Sequence, residues 1–183
     1  MENKLATKKV AILVTNGFEE SEFTKPLDAL TRAGITVEVV SLKPGKIMSW
    51  KDKNWGSEFN VDKTIEQVTT EQYDALVLPG GVMNPDQLRT NKLVIEFVNG
   101  FFIAHKPIAA ICHGPWTLIE TGKLIGRKLT SYPSLKTDLI NAGAEWVDEE
   151  VVTDNGLVTS RNPTDLPAFC EKLLEEISEG VHA

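Results

Sequence analysis

Four short runs rich in aliphatic residues recur along this chain of 183 residues, and they constrain its fold more than any other feature. The runs occupy residues 8–14, 35–42, 73–81 and 107–112. Runs of this length, bounded by polar or turn-forming residues, are typical of strands in a parallel sheet that is covered on both faces. The sequence therefore predicts four central strands of an α/β fold.

Helical patterns separate these strands. The first helix is expected to begin close to Pro26, because proline fits best in a first turn, and to end at Gly34. Strands that alternate with helices indicate a mainly parallel sheet with helices on both faces. The other predicted helices cover residues 91–106, 114–124 and 165–178, with a short one that closes at Gly143.

Two segments interrupt this alternation and indicate hairpins. Residues 45–64 lack a helical period and are punctuated by Gly, Asn and Asp. Residues 149–160 contain Asn155-Gly156, a strong signal for a two-residue hairpin turn. Neither a linker nor an internal repeat divides the sequence. We expect one domain over residues 1–183, with a polar lead-in at 1–7 and a frayed end at 179–183.

Charge and composition exclude several classes of function. The net charge of −7 and the pI of about 5.0 argue against nucleic-acid binding, which needs a basic face. The N-terminus lacks the apolar stretch of a signal peptide, and no run reaches the length of a membrane span. Cys112 and Cys170 are too few for a disulfide framework, so we expect free thiols and a cytoplasmic protein.

Three polar or glycine-rich clusters follow predicted strands. They are residues 17–20, Gly80-Gly81, and Cys112-His113-Gly114. Ligand sites in open α/β sheets lie beyond the carboxyl ends of the strands. We therefore expect the three clusters to share one crevice.

Cys112 stands where a strand turns into a helix. Such an elbow can hold the side chain in a strained conformation that faces the crevice. Backbone N–H groups and the dipole of the next helix would lower the thiol pKa and stabilise an oxyanion. The alternative is a small core cysteine, which is the interpretation we favour for Cys170 in the amphipathic last helix.

The histidines offer one candidate. His113 is adjacent to Cys112, and it either orders the turn or acts as a base, in which case it needs an acidic partner to fix its tautomer. His105 ends a helix and His182 lies near the C-terminus, so neither has a catalytic context.

An acidic cluster follows the first strand. Glu20 and Glu22 are assigned to the favourable interaction of acids with a helix N-terminus. Glu19 lies closest to the strand tip and could reach the crevice. A carboxyl that is desolvated beside a thiolate would have a raised pKa and could shuttle a proton.

The segment LPGGVMNPDQLR supplies backbone groups. Gly80 and Gly81 allow a close approach to a ligand, and one of their N–H groups could complete an oxyanion hole; a plain turn is the alternative. Asp86 follows Pro85 at a helix start, where capping is the simpler role. No dinucleotide or phosphate-binding glycine pattern and no zinc-ligand spacing occur, so no cofactor or metal is expected.

Five segments together resemble the ThiJ/PfpI superfamily, and most closely its PfpI-like intracellular cysteine protease and deglycase branch. They run in order across nearly the whole chain: TNGFEESEF, YDALVLPGG, PIAAICHGP, GRKLTSYPSLKTDLINAGAEWVDEEVV and VTSRNPTDLPAF. The resemblance implies a flavodoxin-like three-layer α/β/α sandwich. It also implies that Cys112 is the nucleophile at the elbow and that Glu19 is the carboxyl hydrogen-bonded to it.

The resemblance further implies that the backbone amides of Gly81 and His113 form the oxyanion hole. In PfpI-like members the histidine pairs with an acid from a neighbouring subunit, and the matching position is Asp86. This implies a homo-oligomer: a dimer, trimer or hexamer. Tyr132 matches a family tyrosine near the site, so we place it with Gly80 in the substrate pocket.

Four functions compete. The first is a cysteine-dependent hydrolase, either an intracellular peptidase or a protein deglycase that acts on dicarbonyl adducts. The second is a cofactor-free glyoxalase that converts methylglyoxal to lactate with the same Cys112. The third, a glutamine amidotransferase, is disfavoured because the only histidine downstream of His113 is His182. The fourth is a redox sensor or chaperone that responds to oxidation of Cys112.

Overall fold

The computed structural model describes residues 4–181 and contains a seven-stranded sheet. The strands of the chain are β1 (Lys9–Leu13), β2 (Phe18–Glu19), β3 (Thr36–Ser41), β4 (Lys46–Lys51), β5 (Asn54–Asn60), β6 (Lys63–Thr64), β7 (Ala75–Leu78), β8 (Ile108–Ile111), β9 (Lys128–Leu129), β10 (Glu145–Trp146), β11 (Val151–Asp154) and β12 (Leu157–Ser160). The α-helices are α1 (Glu20–Arg32), α2 (Met83–Leu88), α3 (Lys92–Ile103), α4 (Pro115–Ile119), α5 (Lys136–Asn141) and α6 (Leu166–Glu179). Short 3-10 turns lie at Lys4–Thr7, Ile65–Gln67, Thr70–Gln72, Pro133–Leu135 and Pro163–Asp165.

The large sheet has the strand order β11-β12-β8-β7-β1-β3-β6. Every neighbouring pair is parallel except β11 and β12, which form the predicted hairpin around Asn155-Gly156. The hairpin expected in residues 45–64 is also present, as the antiparallel pair β4 and β5. Both predicted hairpins and the mainly parallel sheet are confirmed.

Successive strand residues face two separate cores. On β1, Ala11 and Leu13 pack into one cluster, whereas Val10 and Ile12 pack into the other. The first cluster includes side chains of α3, α4 and α5, and the second includes side chains of α1 and α6. A strand whose two faces are both buried needs apolar residues without alternation, which is why the runs are continuous. The sheet covered by helices on both faces, which the pattern of strands and helices predicts, is confirmed, and so is the three-layer sandwich that the resemblance implies.

The first helix begins earlier than predicted. Helix α1 starts at Glu20, and Pro26 lies inside it. A proline there leaves the carbonyl of Glu22 without its helical hydrogen bond and costs about 3 kcal/mol. Phe23, Pro26 and Leu30 are all buried on the face of α1 that meets the sheet, and burial of these side chains offsets the cost.

Two other boundaries differ from the sequence prediction. Helix α4 ends at Ile119 rather than near residue 124, because the chain turns at Gly122, where φ is +67°. Helix α6 continues to Glu179, and the rest of the end predicted to fray is described only as far as residue 181. His182 lies outside the described residues. In residues 4–181 no helix has both the length and the apolar character needed to cross a bilayer.

Candidate active site

Cys112 follows β8 directly and adopts a left-handed backbone conformation, with φ of +61°. This conformation costs a residue other than glycine about 1–2 kcal/mol. Its N–H donates to the carbonyl of Ser160 (3.0 Å), and its carbonyl accepts from the N–H of Tyr132 (2.8 Å). The elbow is therefore held from two neighbouring segments, and the thiol is directed into a pocket at the carboxyl edge of the sheet.

Glycines allow three stretches of backbone to meet at this elbow. A Cβ on Gly80 would lie 2.8 Å from Cβ of Cys112 and 2.9 Å from the amide nitrogen of His113. A Cβ on Gly114 would lie 2.9 Å from the carbonyl oxygen of Ile111. Side chains at these positions would force the strand ends apart, so the glycines set how closely the Gly80-Gly81 loop approaches the thiol.

Glu22, not Glu19, is the carboxyl beside the thiol. Glu22 is fully buried, its Oε2 accepts from the N–H of Gly80 (2.8 Å), and its carboxyl interacts with the Cys112 side chain. Glu19 lines the same pocket, but its Oε1 accepts from Oγ of Ser21 (3.4 Å). The predicted hydrogen bond from Glu19 to Cys112 is therefore wrong.

The misplaced helix start explains the error. With α1 beginning at Glu20, the residues Glu22, Pro26 and Leu30 are four apart and share one buried face. The interaction of acids with a helix N-terminus, which we expected for Glu22 from the sequence, does not explain its position. An acid on a buried helix face needs a specific partner. The four-residue spacing is the sequence signal that would have identified it.

Glu20 has a structural role instead. Its carboxylate accepts from Oγ of Ser49 (2.7 Å), the N–H of Ser57 (3.0 Å) and Nζ of Lys51 (2.9 Å). These hydrogen bonds lower the pKa of Glu20 to about 2. Glu20 therefore fastens the β4–β5 hairpin to the start of α1, and Trp50 of that hairpin forms one wall of the pocket.

Burial sets the protonation states of the central pair. It raises the pKa of Glu22 to about 8, so this carboxyl is largely protonated at neutral pH. Burial also raises the pKa of the Cys112 thiol, and Glu22 adds to the shift when its carboxyl is ionised. The predicted lowering of the thiol pKa is therefore wrong, because burial of Cys112, a residue only 7% exposed, has the largest effect on that pKa. The N–H groups of Gly81 and His113 lie beside the sulfur and oppose the shift.

His113 contacts the thiol directly. Its Nδ1 lies 3.2 Å from Sγ of Cys112, and its Nε2 lies 3.2 Å from Oγ of Ser134. The ring stacks on Tyr132, with centroids 4.7 Å apart and planes 24° apart. Burial lowers the pKa of His113. The sequence left open whether His113 orders the turn or acts as a base. In the structure each of its ring nitrogens has a hydrogen-bonding neighbour.

Asp86 and Asn84 both lie on α2, where the first is exposed and the second is buried. Asp86 is exposed on α2 and does not line the pocket, so its pairing with His113 across a subunit interface stays a prediction. Asn84, which sequence reasoning missed, is fully buried: its Oδ1 accepts from the N–H of Thr15 (2.8 Å) and its Nδ2 donates to the carbonyl of Gly80 (3.0 Å). Asn84 thereby fixes the loop that presents Gly81.

The pocket has a volume of about 540 Å³, which is in the range of small-molecule sites. Apart from Cys112, His113 and two carboxyl groups, the described residues in its walls supply glycine backbone and apolar or aromatic side chains, with no lysine or arginine among them. Among residues 4–181 no group of three or more His, Cys, Asp and Glu side chains could hold a metal ion. The lining residues are Gly17, Glu19, Glu22, Trp50, Gly81, Val82, Met83, Cys112, His113, Tyr132 and Pro163.

A match to a family model that spans all the pocket residues identifies the family. The model of the DJ-1/PfpI family matches residues 8–176, which include every residue that lines the pocket. This chain belongs to the DJ-1/PfpI family. The resemblance recognised in the sequence is therefore confirmed.

Relatives of this DJ-1/PfpI protein carry two kinds of name. "Protein/nucleic acid deglycase 2" of Escherichia coli is 45% identical over 92% of this chain and 96% of its own length. "Putative cysteine protease YraA" of Bacillus subtilis is 45% identical over 89% of this chain and 94% of its own. The crystal structure of Drosophila melanogaster DJ-1beta has a TM-score of 0.85 and 34% identity, and the match covers 93% of this chain and 90% of that one. The fold is thus that of DJ-1-like proteins.

The Gly81 backbone gives a first test of the DJ-1/PfpI elbow. Gly81→Ala should lower the free energy of unfolding by about 1–3 kcal/mol more than Gly126→Ala. Both glycines have nearly equal φ, +73° and +74°, so backbone strain is matched. A Cβ on Gly81 would lie 2.8 Å from the amide nitrogen of Glu19, whereas Gly126 has open space. Urea denaturation of both variants measures the difference, and equal losses would contradict the close approach.

Proposed function

We propose that this protein is a cysteine-dependent deglycase, a hydrolase that removes methylglyoxal adducts from amino groups and thiols. The observation that carries the proposal is the Cys112 thiol, placed between a protonated carboxyl and two backbone N–H groups in a pocket at the carboxyl edge of the sheet. The deglycase names of close relatives point the same way. We place the activity in the cytoplasm, as the sequence predicts from its two cysteines, both of which are free.

The first step is displacement of the modified group. Sγ of Cys112 attacks the carbinol carbon of the adduct, the bond from that carbon to the amine breaks, and the amine leaves with a proton from Glu22. The thiol proton passes to Nδ1 of His113, which lies 3.2 Å away. A carboxyl with a pKa of about 8 holds the proton this step requires at neutral pH.

The second step is an internal rearrangement. The Glu22 carboxylate, having lost its proton, takes the hydrogen of the carbon bound to sulfur and returns it to the neighbouring carbon. The hydroxyl proton of the carbon bound to sulfur moves to the other oxygen, so a lactyl thioester forms without any external oxidant. The N–H groups of Gly81 and His113 stabilise the negative oxygen that develops. Water then hydrolyses the thioester to lactate and regenerates the Cys112 thiol, and the proton that His113 took in the first step returns to Glu22.

A glyoxalase would share the second step. Free methylglyoxal adds to Cys112 through its aldehyde and gives the same intermediate, so both activities yield lactate. A peptidase needs an extended cleft for a peptide, whereas the pocket of about 540 Å³ matches a small adduct. Redox-sensor cysteines often have a resolving cysteine beside them, and Cys170 does not line the pocket of Cys112. The pocket therefore favours dicarbonyl chemistry.

Enzyme concentration separates a deglycase from a glyoxalase. We expect lactate release from methylglyoxal-modified N-acetylarginine to rise in proportion to enzyme concentration and to exceed the spontaneous dissociation of the adduct. A glyoxalase that consumes only free methylglyoxal would reach a plateau at that spontaneous rate. Lactate measured against a dissociation control without enzyme decides between them. Cleavage of chromogenic peptides without lactate from either substrate would instead identify a peptidase.

A further inference from the structure

The His113 ring has a hydrogen-bonding neighbour at each nitrogen. Sγ of Cys112 lies 3.2 Å from Nδ1, and Oγ of Ser134 lies 3.2 Å from Nε2. Among the described residues no other group contacts these two nitrogens within hydrogen-bond distance. The serine hydroxyl, on the far side of the ring from the thiol, therefore occupies the place in which cysteine and serine hydrolases hold a carboxylate or amide.

Ser134 is carried by a turn that is fixed to the elbow. The turn Pro133–Leu135 begins after Tyr132, whose N–H donates to the carbonyl of Cys112 (2.8 Å). The N–H of Leu135 donates to the carbonyl of Tyr132 (3.0 Å), and the Leu135 side chain is only 2% exposed. The backbone on both sides of Ser134 is thus anchored, so the hydroxyl is positioned before any substrate binds.

The titratable groups that the structure describes around the His113 ring do not accept a hydrogen bond from its Nε2, whereas Ser134 lies within hydrogen-bond distance of it. The titratable groups that share the pocket with His113 are Cys112 on the elbow, Glu19 and Glu22 at the start of the first helix, and Tyr132 on the following turn. The pKa of His113 is lowered by burial, with no resolved effect of a carboxylate. A histidine in this setting is a weak base, so an acceptor at Nε2 has a measurable effect on its ability to take a proton.

We propose that Ser134 is a positioning residue that holds His113 in the tautomer able to accept the thiol proton. Oγ of Ser134 accepts from Nε2–H, and the unprotonated Nδ1 faces the thiol of Cys112. When the S–H bond breaks, its proton forms the Nδ1–H bond and the electron pair stays on sulfur. The imidazolium that results keeps its Nε2–H bonded to Ser134. We call this transfer of the thiol proton to a His113 ring held by Ser134 the relay. The use of the relay in catalysis rests on the proposed deglycase function, whereas the proton transfer itself does not.

Alkylation of Cys112 by iodoacetamide tests the relay without any substrate. Ser134→Ala should slow alkylation about three- to tenfold at pH 7, the effect of one lost hydrogen bond. The difference should shrink as pH rises, because hydroxide then removes the thiol proton without His113. Ser134→Thr, which keeps the hydroxyl, should react within about twofold of the unchanged protein. Ser178→Ala, at an exposed serine of α6, is the matched control. Mass spectrometry of the Cys112 peptide separates this reaction from that of Cys170.

Two results would overturn the proposal. One is a rate for Ser134→Ala that equals that of the unchanged protein at every pH, or that falls by the same factor at every pH. The other is normal alkylation of Ser134→Ala together with slow alkylation of Asp86→Asn, which would mean that a carboxylate across a subunit interface holds the ring. If alkylation responds as expected while no lactate forms from any adduct, the relay stands and the deglycase function fails.

Discussion

Cys112→Ser is expected to reduce lactate release from methylglyoxal-modified N-acetylarginine by at least about 10³-fold. A serine hydroxyl is a far weaker nucleophile than a thiol, and His113, whose pKa is lowered by burial, is a weak base for a hydroxyl proton. The change removes little volume from a side chain that is 7% exposed, so the fold should persist. Steady-state assays on both proteins, with thermal unfolding as a check of folding, measure the effect.

Cys170→Ser provides the matched control for this substitution. Cys170 is a half-buried residue of α6 that packs against the core shared by α1 and α6. Its thiol pKa is raised by burial to about 11, and it does not line the pocket of Cys112. Activity should therefore survive in Cys170→Ser. Full activity in Cys112→Ser would show that Cys112 is not the nucleophile, and it would contradict the proposed deglycase function.

Glu22→Gln should lower kcat by about 10²- to 10³-fold, in the range found for loss of an acid–base group. Glutamine can still accept from the N–H of Gly80, so the loop geometry is kept, but it cannot give and take a proton. Glu19→Gln should cause a much smaller loss, because Glu19 contacts Ser21 rather than the thiol. A larger loss in Glu19→Gln than in Glu22→Gln would restore the assignment first made from the sequence.

Glu22→Gln should also raise the free energy of unfolding of the protein at high pH. The pKa of Glu22 is about 8 in the folded protein against an ordinary value of 4.5, so between these values the folded chain binds a proton that the unfolded chain has lost. The free energy of unfolding therefore falls as pH rises, by up to about 5 kcal/mol from this group. Glu22→Gln removes that loss.

Urea denaturation at two pH values tests this linkage. The gain in stability of Glu22→Gln should be larger at pH 8 than at pH 5, where the folded-state carboxyl is protonated and the unfolded one is only partly ionised. Activity of the unchanged protein should decline as pH rises through about 8, because Glu22 then loses the proton it gives to the leaving amine. An equal gain at both pH values would show that Glu22 ionises normally in the folded state.

The sheet was the most predictable part of this molecule. Strands buried on both faces require unbroken aliphatic runs, and such runs are visible in β1, β7 and β8 without any tertiary information. Asn155-Gly156 specified its hairpin by local conformation alone. The elbow at Cys112 was predictable from the same strands. Cys112 ends a buried strand, and Gly114 and Pro115 indicate that a helix begins directly after it.

The partners of Cys112 were less accessible to sequence reasoning. Glu22 was missed because Pro26 was given its usual place in a first turn, and the buried face of α1 overrides that local preference. Ser134 was missed because its contact with His113 depends on how a turn 21 residues away folds back over the elbow. Contacts of this kind are set by tertiary packing and leave no periodic pattern in the sequence.

The walls of the pocket are built on two separate sheets. Cys112, Gly80 and Gly81 are supported by the large sheet, whereas the Trp50 wall is joined to it mainly through residues 16–20 and the contact of Phe59 with Phe18 and Phe23. The hairpin and the large sheet share no strand, so the pairing of the large sheet does not depend on β4 or β5. We therefore expect substitutions in the β4–β5 hairpin to change which adducts the proposed deglycase accepts more than they change the geometry of the elbow at Cys112.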